Sequence, residues 1–264
     1  MGCIEFRNAS FRYANGTLAN ESLDLHIEEG ERVAIIGQNG AGKTTAVKMM
    51  NGLHKPTGGD VLVNGVNTKD RTTAQISHMV GYVFQNPDDQ IFNTTVRGEL
   101  EFWPRYQKLP QEEIDARVQR AVQMTDIGPY LELNPYEIPY STKKFVSIAA
   151  ILAIQTPYLV LDEPTAGQDM HGVNCLVKIM DTLRSEGRSV IVITHDMEFV
   201  ARNFDRVIVM AHRHIIADGP VQQIFQNDDI LRQAAIKKPQ IGQLAASLGH
   251  PDILFSEDLV NILD

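Results

Sequence analysis

The first third of the chain alternates hydrophobic and polar residues in the manner of β-strands. Leu23, Leu25 and Ile27 are separated by polar neighbours, and Asn15-Gly16 and Asn64-Gly65 are pairs of the hairpin-turn type. The run Val33–Ile36 is continuously apolar, which is typical of a strand buried on both faces. A Gly-rich loop and a predicted helix that ends near Gly52 follow this run directly.

The spacing of the apolar residues changes to that of helices between Thr95 and about Ile154. Ile114, Val118 and Ala121 fall on one helical face between two turn signals, Pro110 before them and Gly128-Pro129 after them. We therefore expect a helical insert over about 95–154.

Strand patterns lie before and after this insert, and strands alternate with helices after it. Strands are predicted at 80–84, 158–161 and 190–194, with a helix between the last two, and a hairpin at 206–217 ends at Gly219-Pro220. Short amphipathic segments follow to Asp264, and they contain too few apolar residues for a core of their own. The expected fold is therefore an α/β core with an antiparallel β subdomain, a helical subdomain and a small C-terminal helical extension.

Composition excludes several classes of protein. Of 264 residues, 43% are hydrophobic and 22% charged, which is typical of a globular protein. The net charge of −9 argues against a free-standing nucleic-acid-binding protein. The longest nearly apolar run, 146–154, is far shorter than the ~20 residues of a membrane span. No basic-then-apolar segment opens the sequence, and Cys3 and Cys175 form no metal or disulfide pattern, so we expect a reducing cytosol.

A phosphate-binding motif lies between the apolar strand and the helix. The residues Gly37, Gln38, Asn39, Gly40, Ala41, Gly42, Lys43 and Thr44 match G-x-x-x-x-G-K-[ST], and Thr45 follows them. Glycines let backbone N–H groups turn toward phosphates, and the helix N-terminus adds positive potential. We expect Lys43 to reach the β and γ phosphates of ATP and the Thr44 hydroxyl to ligate Mg²⁺.

Two predicted strands end in residues suited to hydrolysis. Asp162 and Glu163 close the strand at 158–161, and His195 follows the strand at 190–194. Asp162 is placed to hold Mg²⁺ and Glu163 to act as general base toward water. Because neighbouring strands end at one edge of the sheet, these residues and His195 are expected to converge on the γ-phosphate.

The ordered motifs resemble those of the ATP-binding subunits of ABC transporters over nearly the whole chain. Besides the P-loop, the acid pair and His195, Gln85 corresponds to the Q-loop residue and 166–169 to the D-loop. The resemblance implies that Gln85 serves catalysis and, with Thr44 and Asp162, the Mg²⁺ site. It also implies that Tyr13 stacks on adenine, although a tyrosine packed in the core of a strand is the alternative.

Two strings narrow the resemblance. The residues 83–90 and 162–167 are similar to the ATPases of energy-coupling factor (ECF) transporters, which import vitamins or transition-metal ions. That resemblance implies a second ATPase, a transmembrane scaffold protein, a separate membrane protein that captures the substrate, no nucleic acid, and a peripheral position on the cytoplasmic face of the cell membrane. It also implies that the extension 220–264, which follows an ATP-binding domain at 1–219, contributes to ATPase–ATPase contact.

The signature segment departs from the pattern of the family. Where the family has Leu-Ser-Gly-Gly-Gln, this chain has Ile138, Pro139, Tyr140, Ser141 and Thr142. Proline lacks an N–H group, and side chains replace the glycines that would allow a close approach of the backbone to phosphate. We expect Ser141 or Thr142 to cap the following helix and Lys143 to add positive charge there. The resemblance then implies a heterodimer whose partner has an intact signature segment.

Rival functions remain open at this point. An ATPase of another ABC transporter class or a soluble ABC ATPase of chromosome maintenance or translation is one, although no heptad run and a single P-loop are present. A regulatory module that holds nucleotide without turnover is another. For the transporter, the contact with the membrane partner is expected near Gln85 and the helical insert, unless Phe102 and Trp103 are ordinary core aromatics.

Overall fold

The computed structural model describes residues 2–250 and 253–263. Its strands are β1 (Cys3–Arg12), β2 (Leu18–Glu28), β3 (Arg32–Ile36), β4 (Gly58–Val63), β5 (Val66–Asn67), β6 (Val80–Val83), β7 (Tyr158–Asp162), β8 (Ser189–Ile193), β9 (Arg206–Ala211) and β10 (His214–Pro220). Its helices are α1 (Lys43–Met50), α2 (Thr73–Ile76), α3 (Val96–Tyr106), α4 (Gln111–Thr125), α5 (Tyr140–Leu152), α6 (Met170–Ser185), α7 (Met197–Asn203), α8 (Val221–Gln226), α9 (Asp228–Gln233), α10 (Gln240–Ser247) and α11 (Ser256–Leu263).

Two sheets organise the chain. The larger has the order β10-β9-β3-β8-β7-β6, in which only β10 runs antiparallel to its neighbour. The smaller is an antiparallel sheet of order β2-β1-β4-β5, whose β1–β2 turn lies at Asn15-Gly16. The predicted α/β fold with an antiparallel subdomain is confirmed. The predicted strands are displaced by single residues: β6 ends before Phe84, β7 extends to Asp162, and β8 ends before Thr194.

The parallel strands of the larger sheet are buried on both faces, as the apolar run in β3 predicted. Val33 and Ile35 pack with α1 and the antiparallel sheet, whereas Ala34 and Ile36 pack toward the helices on the other side. A parallel sheet covered on both faces carries such continuous apolar strands. The consequence for function is that the polar residues of these strands are confined to the strand ends.

The helical insert forms a subdomain that packs on the same core as Ala34 and Ile36 of β3. Helices α3, α4 and α5 pack on one another, and α4 also packs on α6. Ile114, Val118 and Ala121 are buried there, as their spacing predicted. No helix among residues 2–250 and 253–263 combines the length and the apolar character that a membrane crossing needs.

The C-terminal extension divides into two parts. Phe225 of α8 and Leu231 of α9 are buried in the main core together with Leu254. By contrast, α10 and α11 meet in a small separate cluster that contains Ala245 and Leu259. The apolar core therefore continues across the predicted boundary after Gly219, and the division of the chain at 219/220 stays a prediction.

Candidate active site

The loop between β3 and α1 closes around the side chain of Lys43. Its ammonium donates hydrogen bonds to the carbonyl oxygens of Gly37 at 2.7 Å and Gln38 at 3.0 Å. Burial lowers the pKa of Lys43, while the carboxylates of Glu163 and Asp162 oppose that shift. A buried cation is therefore held at the base of the loop, where an anionic ligand would neutralise it.

Two glycines of this loop are required by close approach of the backbone. Gly37 has φ of +149°, and a Cβ there would collide with the Met210 carbonyl oxygen. Gly42 has φ of +100°, and a Cβ would collide with the side chain of Asn20, whose amide donates to the Gly42 carbonyl at 3.1 Å. The loop is thus fitted between β9 and β2 and leads into the N-terminus of α1.

A cleft of about 340 Å³ opens in front of the loop and collects most of the predicted site residues. Its volume suits a small-molecule ligand. The predicted residues that line it are Tyr13, Asn39, Gly40, Gly42, Lys43, Thr44, Thr45, Gln85, Asp162, Glu163 and His195. Three other loop residues do not line it: Gly37 and Gln38 border a neighbouring cleft, and Ala41 is buried beneath the loop.

Tyr13 lies at one end of this cleft. Tyr13 is 40% exposed, its ring makes a T-shaped contact with Phe11, and its hydroxyl is 3.0 Å from Thr45 Oγ1. Tyr13, which directly follows β1, is therefore held by Phe11 and Thr45 while it lines the cleft. Burial in the core, the alternative at this position, does not describe it, and its contact with adenine stays a prediction.

Asp162 is held at the end of β7 by two hydroxyl groups. Tyr82 donates to Asp162 Oδ2 at 2.8 Å, and Thr44 donates to the same oxygen at 3.2 Å. Burial and the Asp162 carboxylate raise the pKa of Tyr82, so its hydroxyl remains a donor. Sequence reasoning missed Tyr82, because an aromatic residue inside a strand looks like core.

Glu163 follows Asp162 and pairs with His195 from the end of β8. The imidazole Nε2 is 3.2 Å from Glu163 Oε1, and the His195 backbone N–H donates to Glu163 Oε2 at 3.3 Å. Burial raises the pKa of Glu163, and attraction to His195 opposes the shift. Glu163 has φ of +50°, a left-handed conformation that is costly for a residue with a Cβ and that clusters at functional sites.

The signature segment lies away from this cleft. Ser141 and Thr142 border a different cleft of about 220 Å³, next to Gln168 and Asp169 of the predicted D-loop. Gln168 Nε2 donates to the Ser141 carbonyl at 3.1 Å. Within one chain, the structure therefore does not bring residues 138–142 to the P-loop.

Two expectations about this segment are wrong. Ser141 and Thr142 do not cap α5, because the helix already begins at Tyr140 and Pro139 occupies the N-cap position with no side-chain hydrogen bond. Lys143 does not offer free positive charge, because its ammonium pairs with Asp88 at 2.8 Å and lies over the ring of Tyr136. The first turn of α5 is therefore bound to the segment that follows Gln85.

A buried cation next to Lys143 was also missed by sequence reasoning. Lys144 is 1% exposed and donates to the carbonyl oxygens of Glu163 and Ala166. A signal was present, since Lys144 shares one helical face with Ile148 and Leu152, and both are buried.

Comparison with known proteins places this geometry in a family. The family model described as ABC transporter matches residues 20–166. A putative ABC transporter ATP-binding protein of Pyrococcus furiosus is 40% identical over 97% of this chain and 98% of its own length. The energy-coupling factor transporter ATP-binding protein EcfA of Methanothermobacter thermautotrophicus is 37% identical over 91% of this chain and 78% of its own length.

A solved structure gives the same assignment. The protein cbiO1 of Clostridium perfringens, described as part of the ABC transporter complex cbiONQ, is 31% identical and superposes with a TM-score of 0.77. The match covers 92% of this chain and 98% of cbiO1. The resemblance that the motifs indicated is confirmed, and the chain belongs to the ATP-binding subunits of ABC transporters, a family that hydrolyses ATP to drive transport.

Proposed function

We propose that this chain is the ATP-hydrolysing motor subunit of an ECF-type importer that takes up a vitamin or another micronutrient. The observation that carries the hydrolytic part is the Glu163–His195 pair, which faces the cleft that also contains Lys43 and Asp162. The ECF type is supported by relatives named EcfA and by the likeness to cbiO1.

The chain's own residues account for binding and hydrolysis of ATP. The loop around Lys43 binds the phosphates through its backbone N–H groups and the ammonium. Glu163 accepts a proton from the attacking water, a role that a raised pKa suits. His195 orients the Glu163 carboxylate through its imidazole and its backbone N–H.

The residues at the end of β7 fit a magnesium ion. Thr44 Oγ1 and Asp162 Oδ2 are 3.2 Å apart, close to the roughly 2.9 Å expected of adjacent ligands in an octahedron with bonds of about 2.0–2.1 Å. The Gln85 amide, which borders the same cleft, adds a third oxygen donor. Bound there with ATP, Mg²⁺ supplies charge neutralisation of the phosphates.

The contact with a transmembrane scaffold protein is assigned to an aromatic surface formed by Phe92, Phe102, Trp103 and Tyr106. Phe92 is 60% and Tyr106 62% exposed, and the rings pack in pairs, Phe92 on Phe102 and Trp103 on Tyr106. Exposed apolar patches of this kind mark interaction sites. Phe102 is 42% exposed, which differs from the core packing that was the alternative, whereas Trp103 is half-buried with its indole Nε1 enclosed.

This aromatic surface connects to the hydrolytic site through the segment after Gln85. The Glu99 carboxylate accepts hydrogen bonds from the backbone N–H groups of Phe92 and Asn93 and so fixes the loop below the surface. Gln90 accepts from the Phe84 N–H and donates to the Ser147 carbonyl in α5. A displacement of the aromatic surface would therefore be passed to the residue before Gln85 and to α5, whose first turn carries part of the signature segment.

The altered signature segment supports a heterodimer. In this heterodimer, residues 138–142 of one ATPase would complete the ATP site of the other. Pro139 offers no N–H, and Tyr140 is 47% exposed where a glycine would leave space for phosphate. Loss of one preorganised donor costs on the order of 10²–10³ in rate, so two copies of this chain would form two impaired sites. A second ATPase with an intact signature would restore the site on Lys43.

The test replaces each P-loop lysine in turn in the assembled transporter. Lys43→Ala should abolish nearly all ATP turnover, whereas the equivalent change in the second ATPase should leave a substantial fraction. Equal losses would contradict the asymmetric assignment. Purification in detergent provides the check against a soluble ABC ATPase, because an importer subunit brings down a hydrophobic scaffold and a second ATPase. Recovery with ribosomes or DNA instead would favour the rival function.

A further inference from the structure

Lys144 of α5 is a buried cation that the proposed hydrolysis does not use. Its ammonium donates to two backbone carbonyls in the turn after β7, those of Glu163 and Ala166, the second at 3.3 Å. Burial lowers the pKa of Lys144, and the carboxylates of Glu163 and Asp162 oppose that shift. Burying a lysine costs desolvation free energy, so its presence at this position needs an explanation.

The turn that Lys144 binds contains the strained residue of the site. Glu163 has φ of +50°, and its side-chain carboxylate reaches His195 from this backbone conformation. The Glu163 N–H donates to the Ile193 carbonyl of β8 at 2.8 Å, while its own carbonyl accepts from Lys144. The peptide groups on both sides of the Glu163 Cα are therefore held, one by the sheet and one by α5.

We propose that Lys144 is a positioning residue for hydrolysis, which fixes the main chain of Glu163 so that its carboxylate stays paired with His195 and directed into the cleft. The inference rests on the role proposed above for Glu163. It also gives α5, whose first turn carries the signature segment, a direct contact with the hydrolytic residue of the same chain.

The arrangement of two adjacent lysines supports this assignment. Lys143 leaves the helix toward Asp88, in the segment after Gln85, whereas Lys144 leaves it toward Glu163. A rotation of the first turn of α5 would therefore act on both segments at once. Positioning of this kind has a large effect on rate, since a displacement of about 1 Å at a reacting group costs up to 10²-fold.

The central variant is Lys144→Met, which keeps the apolar stem and removes the donors. In the assembled transporter, kcat for ATP should fall roughly 10- to 100-fold, whereas KM should change less than about 2-fold. Lys144→Arg retains the charge and the donors and should recover most of the rate. Should Lys144→Met fail to assemble, Lys144→Gln takes its place with the same expected loss of kcat.

Lys55→Met is the matched control. The Lys55 ammonium likewise donates to two backbone carbonyls of a turn, those of Thr68 and Arg71, but on the antiparallel subdomain. It should lose thermal stability and retain kcat. An equal fall in kcat for both variants would mean that Lys144 acts only by stabilising the fold.

A double-mutant cycle with Glu163→Gln makes the distinction sharp. Because Lys144 acts through Glu163, adding Lys144→Met to Glu163→Gln should lower turnover by less than about 2-fold further. Multiplication of the two single effects, or a loss of ATP binding in Lys144→Met, would overturn the inference and leave the proposed function intact. Wild-type turnover in Glu163→Gln alone would instead overturn the role of Glu163 itself.

Discussion

Removal of the Tyr82 hydroxyl tests whether Asp162 holds the metal ion. The hydroxyl donates to Asp162 Oδ2 at 2.8 Å, and Tyr82 is only 6% exposed, so water does not replace it readily in Tyr82→Phe. A hydrogen bond to a charged group contributes about 1.5–3 kcal/mol. About 1.4 kcal/mol corresponds to a factor of ten in affinity. If the hydrogen bond stabilises the metal-bound state, its loss therefore weakens Mg²⁺ binding at least tenfold.

In Tyr82→Phe, the Thr44 hydroxyl is the remaining hydrogen-bond donor to Asp162 Oδ2, and it determines how far Mg²⁺ binding is weakened. Thr44 is 3.2 Å from the same oxygen, but its hydroxyl is itself a predicted ligand and does not replace Tyr82 in orienting the carboxylate. Groups that orient metal ligands are worth about 10- to 100-fold in affinity. We therefore expect the Mg²⁺ concentration at half-maximal ATPase activity to rise about 10-fold in Tyr82→Phe, with ATP binding in EDTA unchanged.

Tyr158→Phe is the matched control for this measurement. Tyr158 lies on the strand that carries Asp162, is fully buried, and donates to Asn64 Oδ1 at 2.8 Å, away from the cleft. Its loss should lower the free energy of unfolding by about 1 kcal/mol and leave the Mg²⁺ titration unchanged. Identical Mg²⁺ titrations for wild type and Tyr82→Phe would refute the reasoning that Asp162, oriented by Tyr82, is the metal ligand.

Three further substitutions separate hydrolysis from docking. Glu163→Gln should keep ATP bound and slow phosphate release by about 10²–10⁴, the usual contribution of a general base, and wild-type turnover would contradict that role. Phe92→Ala on the aromatic surface, or Asp89→Ala in the exposed segment beside it, should weaken recovery of the scaffold protein in a pull-down while ATP affinity is retained. Undiminished recovery would move the docking site elsewhere.

The sequence was sufficient to predict how the cleft is assembled. Parallel strands end at one edge of a sheet, so Asp162 and His195 could be placed beside the P-loop from their positions after apolar runs. The glycines and Lys43 have the spacing of a phosphate-binding loop, and the apolar strand before them and the helix after them supply the context that this motif needs. Local rules and topology agree here, which is why the prediction was possible.

The residues that support the cleft could not be predicted in the same way. Tyr82 contacts Asp162 because β6 pairs with β7. Lys144 contacts the Glu163 carbonyl because α5 packs on the turn after β7. Neither contact has a local signature. The prediction of where α5 begins was wrong for a related reason. Ser141 and Thr142 are good capping residues, but Pro139 occupies the N-cap position, so both lie inside the helix.

The two parts of the C-terminal extension differ in how they are coupled to global unfolding. Phe225 and Leu231 belong to the core that also contains the central strands, so α8 and α9 can open only when the whole core opens. The contacts of α10 and the described part of α11 include a small cluster around Ala245 and Leu259 and an exposed ion pair between Arg202 and Glu257. The outer part, anchored to the main core through Leu254, is therefore expected to open at a lower free energy than α8 and α9, which hydrogen exchange would show as weaker protection.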